Sequence, residues 1–128
     1  MNTEMVTTKL VAGKSDFIAF AEPIKNMKEA QSFVTKIESK YPKADHAAYG
    51  YSFDVNGKQI TRASDSKEPK GSAGRAILQT LQAEQMPNTA IIVIRFFSGI
   101  FLGYKNLFNT YKQVSTEVLE KLKEQKHA

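Results

Sequence analysis

Residues Ile91 to Gly103 read IIVIRFFSGIFLG. A continuous apolar run reaches Arg95, passes through Phe96 and Phe97, and ends in a turn of small residues before Leu102-Gly103. The run predicts a buried strand over Thr89 to Phe97. Burial gives no reason for an arginine at such a strand's end. A strand that delivers Arg95 to a glycine-bearing loop marks the edge of a binding site.

Working outward, Phe17 to Ala21 reads as a short strand closed by Pro23. Met27, Ala30, Phe33 or Val34, Ile37 and Tyr41 recur at helical spacing until Pro42 stops the helix. His46 to Asp54 alternates, with Ala47, Tyr49, Tyr51 and Phe53 on one face and His46, Ala48, Gly50 and Ser52 on the other. Asn56-Gly57 signals a tight hairpin, so Lys58 to Ser64 returns antiparallel. A second helix starts at Ser72 as N-cap and buries Ala73, Ala76, Ile77 and Leu81. A third carries Tyr104, Leu107, Phe108, Tyr111, Val114, Val118 and Leu122 along one stripe. The order β-α-β-β-α-β-α implies an α+β, two-layer domain, with a four-stranded mixed sheet and helices mainly on one face. One domain over residues 1–128 is expected, with its core at about 15–122 and short polar termini.

The chain of 128 residues contains no cysteine, which excludes a disulfide framework and a cysteine-based metal site. Its polar N-terminus lacks a signal-peptide core, and no apolar run approaches membrane-spanning length, so a cytoplasmic protein without membrane contact is expected. The formal net charge is +5, and its placement is uneven. Lys58 to Thr116 holds eight basic residues against Asp65, Glu68 and Glu84, while the remainder is balanced. The excess lies where the glycine loops lie, which favours an anionic partner, although uneven surface charge is also common without one.

Two loops carry the chemistry. In Asp65 to Arg75, Arg75 stands in the first turn of the second helix, where a cation opposes the helix dipole. A phosphate bound there by Lys67, Lys70, Arg75 and the free amides reverses that conflict; alternatively, Arg75 bends away to Glu68 or solvent. In Arg95 to Lys105, Gly99 and Gly103 permit close backbone approach. Phe96, Phe97 and Phe101 are core, or stack on a base if exposed. The tyrosine row on the His46 strand is core if helices cover it; otherwise it is an open surface for bases, a partner or a homodimer.

These residues resemble the IMPACT / YigZ-like family over about Ser15 to Thr116. Asp65, Glu68, Pro69, Gly71, Ser72, Ala73 and Gly74 match that family's Asp-Asp-Gly-Glu-Pro-Ser-Gly-Thr-Ala-Gly element. Arg95, Phe96, Phe97, Gly99, Leu102 and Gly103 match its Arg-Tyr-Phe-Gly-Gly-x-x-Leu-Gly element. The resemblance implies a fold like the second domain of ribosomal protein S-five and a role in translational control. It brings no established catalytic activity and no cofactor. It also implies a second, ferredoxin-like domain in bacterial relatives. Ser66, Lys67, Lys70, Ser98, Lys105, Asn106 and Asn109 depart from the pattern, adding lysines and removing glycines. These departures favour a phosphate backbone over a small ligand held by tight backbone contacts.

The expected anion- or nucleic-acid-binding set is Arg62, Lys67, Lys70, Gly71, Ser72, Gly74, Arg75, Arg95, Gly99, Gly103 and Lys105. Asp65 and Glu68 are a possible carboxylate pair for acid–base work or a magnesium ion, or simply solvated ion pairs. His46 reads as structural, and with Asp45 it lacks a matched nucleophile. No Walker loop, nucleophile elbow or paired-histidine metal helix is present, so no catalytic or metal residue is assigned. The leading expectation is a non-enzymatic, translation-associated protein binding RNA or the ribosome, as a monomer or weak homodimer. The alternatives are a protein-interaction module with an acidic partner in stress regulation, and a small phosphate-ligand or nucleotide-binding domain.

Overall fold

The computed structural model describes residues 5–97 and 99–126. Its elements are β1 (Val6–Ala12), β2 (Ser15–Pro23), α1 (Met27–Lys40), β3 (His46–Val55), β4 (Lys58–Ser64), α2 (Gly74–Ala83), β5 (Thr89–Phe96) and α3 (Tyr104–Lys126). The strands form one sheet in the order β1-β2-β5-β3-β4, and every neighbouring pair is antiparallel.

The expected four-stranded mixed sheet is corrected to five antiparallel strands. Topology explains the first change: the β2-α1-β3 crossover leaves a gap between its two strands, and β5 fills it antiparallel to both. The added strand, β1, lies ahead of the expected core. Its burial alternates perfectly, with Val6 buried, Leu10 and Ala12 half-buried, and Val11 59% exposed. Thr8 takes an inward position, so the hydrophobic alternation that marks a half-buried strand is interrupted.

The expected two-layer packing is also corrected. Helices α2 and α3 cover one face of the sheet, against Phe17, Ala19, Ala48, Ile91 and Val93. Helix α1 covers the other with Ala30, Phe33, Val34 and Ile37, against Phe20, Tyr51, Phe53, Ile92 and Ile94. The sheet is therefore the middle of three layers. Strand β5 is buried on both faces, which is why its sequence is continuously apolar rather than alternating. The row Tyr49, Tyr51 and Phe53 belongs to the α1 face, with the last two fully packed.

Local chemistry sets the boundaries. Asn26 caps α1 by accepting the Glu29 amide at 2.9 Å, and Glu29 reaches back to the Lys25 amide at 2.8 Å. Such caps contribute about 1 kcal/mol. Asn56 and Gly57 both have positive φ, 53° and 80°, as a two-residue hairpin turn between β3 and β4 requires. No helix among the described residues is long and apolar enough to cross a membrane.

Candidate functional site

Side-chain parity along β5 decides where Arg95 goes. Ile91 and Val93 face α2 and α3, and Arg95 is the next residue on that face. It is only 3% exposed, buried at the strand's end rather than presented to solvent. Its Nη1 donates to both oxygens of Glu68 at 2.9 and 2.8 Å, and Nη2 lies 3.3 Å from Ser15 Oγ. The guanidinium is sandwiched between Phe17 and Phe97, 5.1 and 5.0 Å from their ring centroids. Arg95 thus joins the Asp65–Arg75 loop to the centre of the sheet.

Glu68 is buried as well. Besides Arg95, it accepts the Tyr111 hydroxyl at 2.5 Å, and His46 Nε2 lies 3.5 Å from its Oε1. Burial, and next the charge and hydrogen bond of Glu68, push the Tyr111 phenol well above its ordinary range. Arg95 Nε and His46 Nδ1 are shielded from solvent and have no hydrogen-bond partner among the described residues.

Asp65 does different work. Its Oδ1 accepts the Ala73 and Gly74 amides at 3.1 and 2.8 Å, and its Oδ2 accepts the Gly71 amide at 2.8 Å. This carboxylate fills the place at the start of α2 where a phosphate is expected, and satisfies the positive end of the helix. Ser72 is not the cap: its hydroxyl donates to the Pro69 carbonyl, and Ala73 holds the cap position without a side-chain bond. Gly74 is required for a different reason, since a Cβ there would lie 2.8 Å from the Ser64 carbonyl carbon. Asp65 and Glu68 therefore serve separate partners, with every carboxylate oxygen engaged. No cluster of metal-ligating side chains occurs among the described residues.

Arg75 does bend away from the helix start, but to Tyr104 and not to Glu68. Its Nη2 donates to the Tyr104 hydroxyl at 2.5 Å, and its guanidinium lies 4.7 Å from the Phe108 ring centroid. Tyr104 in turn donates to the Gly71 carbonyl at 3.1 Å. These contacts bring the two expected loops together. Lys67, Lys70, Gly99 and Gly103 are exposed on them, Lys105 is exposed in the first turn of α3, and none of the three lysines makes an ion pair among the described residues. Arg62 is elsewhere, because it pairs in register with Tyr51 and so lies toward the α1 face. Ser98, noted for its departure from a glycine pair, lies outside the described residues.

Between the loops opens a cleft of about 440 Å3, lined by His46, Lys67, Glu68, Pro69, Arg95, Phe97, Phe101, Leu102, Gly103 and Leu107. Phe101 stands at its mouth, 88% exposed, with its ring centroid 5.4 Å from that of Phe97. His46 and Tyr111 complete the site from β3 and α3. The parity of His46 with Ala48 was the signal for its position, whereas nothing local in the sequence points Tyr111 at Glu68.

The profile of the Impact N-terminal domain matches residues 13–119, spanning both loops and the cleft. The chain belongs to this family. This Impact domain is 33% identical over 111 residues to IMPACT family member YvyE of Bacillus subtilis, covering 87% of this chain and 51% of that protein. It is 27% identical to IMPACT family member YigZ of Escherichia coli over 88% of this chain and 56% of that one. It is 30% identical to the protein IMPACT homolog of Dictyostelium discoideum, covering 79% of this chain and 30% of that protein. The Impact domain thus spans about half or less of the length of these relatives. Among solved structures, the crystal structure of a hypothetical protein superposes with a TM-score of 0.86 at 26% identity, covering 94% of this chain and 59% of that chain. The two-domain translational regulator Yih1 superposes at 0.51 with 22% identity, covering 91% and 45%, a likeness of fold.

Proposed function

We propose that this Impact domain is a translation-associated, non-catalytic module that binds RNA, free or within the ribosome, through the rim of the two-loop cleft. The observation that carries this reading is the arrangement of Lys67, Lys70 and Lys105. All three are exposed and make no ion pair among the described residues: Lys67 and Lys70 lie on the first loop, and Lys105 lies in the first turn of α3, four residues after the protruding Phe101. Lys67 lines the cleft with Phe101, and exposed lysines near an exposed aromatic suit a phosphate backbone with an unstacked base. Arg75 adds charge on the same side, while Arg95 and Asp65 hold the loops in place. The Asp65 carboxylate at the start of α2 argues against a small phosphate ligand there. The association with translation is supported by family membership and by a structural neighbour described as a translational regulator.

The test is the affinity for single-stranded RNA across a salt series, for the wild type and for the combined Lys67→Glu, Lys70→Glu and Lys105→Glu variant. Each phosphate neutralised on a single strand contributes about −0.7 to the log–log salt slope. Loss of the three lysines is expected to reduce the slope's magnitude by about 2 and to abolish ribosome co-sedimentation. An unchanged slope and affinity in the variant would overturn the reading. So would an association that survives nuclease treatment, which points instead to an acidic protein partner.

A further inference from the structure

We propose that the cleft behind Phe101 receives one unstacked nucleobase of the bound strand. This inference rests on the RNA reading above and assigns the cleft a role separate from that of its basic rim. The volume, about 440 Å3, lies within the range of about 300–1,000 Å3 usual for small-molecule pockets. Its walls are apolar and aromatic: Pro69, Leu102, Leu107, Phe97 and Phe101. Its floor is polar, built from His46, Glu68 and Arg95. A purely aliphatic ligand would leave that floor facing hydrocarbon. A heterocycle has an apolar face for the walls and a polar edge for the floor.

The two phenylalanines have different standing. Phe97 is fixed: one side lies against the Arg95 guanidinium, 5.0 Å from its ring centroid, and its amide donates to Asp45 Oδ2 at 2.7 Å. Phe101 has almost its whole ring in water, and the two planes meet at 51°. They form an open corner whose Phe101 side is free for stacking. Phe101, 88% exposed, stands with the exposed side chains of Ile100 and Tyr104 in one short stretch, and exposed apolar side chains grouped at a cleft mouth suit a binding site.

The phosphates decide between a strand and a free mononucleotide. The amides at the start of α2, which would otherwise cradle a phosphate, are taken by Asp65. What remains for phosphates is the dispersed charge of Lys67 on the cleft lining, Lys70 on the same loop and Lys105 at the start of α3, which suits a backbone passing over the cleft. The base therefore enters the cleft while attached to a longer strand.

The test compares a short single-stranded RNA with an abasic strand of the same length and charge, using the wild type and Phe101→Ala and Phe101→Trp variants. The base-containing strand is expected to bind about tenfold more tightly than the abasic one. Phe101→Ala should erase that preference, and Phe101→Trp should keep it. Because Phe101 is exposed, melting temperatures should match and separate a binding effect from a folding one. If both strands bind equally and both depend on the rim lysines, the base pocket is overturned while the RNA reading stands. If neither strand binds, the RNA reading falls and the pocket falls with it. A glutamate-rich peptide with one aromatic residue that binds through Phe101 when neither strand does would assign the cleft to a peptide.

Discussion

Glu68 and Arg95 form a buried ion pair, with one guanidinium nitrogen 2.9 and 2.8 Å from the two carboxylate oxygens. The pair ties a surface loop to the central strand, and the cleft takes its shape from that tie. Removing one member leaves the other charge buried and uncompensated, a loss of about 3–5 kcal/mol. Glu68→Gln and Arg95→Met should each lower stability by about that amount in urea denaturation. The double variant Glu68→Gln with Arg95→Met should cost less than the two single losses combined, because no lone charge remains. Strict additivity would show that the pair does not act as a unit.

The helix-capping role of Asp65 has its own signature. Asp65→Ala leaves the Gly71, Ala73 and Gly74 amides without their acceptor, and a loss of about 2 kcal/mol is expected, near the upper end for caps. The vacated helix start then becomes an anion site. Sulfate should raise the melting temperature of Asp65→Ala more than that of the wild type. An equal rise in both proteins would place the lost stability elsewhere.

Much of this was legible in the sequence where the cause is local. The spacing of Met27, Ala30, Phe33 and Ile37 gave α1, and Asn56-Gly57 gave the β3–β4 turn. The two loops that meet at the cleft were both picked out by their glycines and charges. What escaped depends on tertiary placement. Asp65 caps a helix that begins nine residues later, beyond any local capping motif. Arg95 looked like a surface charge because its partners, Glu68, Ser15 and Phe17, come from distant elements; its parity with Ile91 and Val93 pointed inward. The uninterrupted Ala90-to-Ile94 run already implied a strand covered on both faces, and hence a third layer.

The contact between α2 and the β3–β4 hairpin depends on two glycines. A Cβ at Gly74 would lie 2.8 to 2.9 Å from backbone atoms of Ser64, which cannot rotate aside. A Cβ at Gly50 would lie 2.9 Å from Ile77 Cγ2, with the nearest backbone atom, the Leu78 nitrogen, farther off at 3.3 Å. Both alanine variants should lose stability, within about 1–3 kcal/mol, with Gly74→Ala the worse. Thermal denaturation of the pair tests the order, and a harmless Gly74→Ala would mean that the helix shifts freely on the sheet.

Tyr111 gives a pH dependence whose sign follows from its surroundings. Burial, followed by the charge and hydrogen bond of Glu68, raises its ionisation well above 10.0 in the folded chain, whereas the unfolded chain ionises near the ordinary value. Between those two points the folded state holds a proton that the unfolded state has released. The stabilisation is therefore complete below a pH of about 10 and declines as pH rises, by up to about 1.4 kcal/mol per pH unit. Tyr51 is shifted in the same direction by burial and by Tyr49, with Arg62 opposing, so the wild type alone does not isolate Tyr111. Tyr111→Phe does. It should cost about 1–3 kcal/mol at neutral pH, because Glu68 loses a charge-assisted hydrogen bond. It should also flatten the alkaline decline, narrowing the gap to the wild type as pH rises. Urea denaturation at neutral and alkaline pH measures both effects. A constant gap would mean that Tyr111 titrates alike in the folded and unfolded chains, and that the Glu68 contact does not hold its proton.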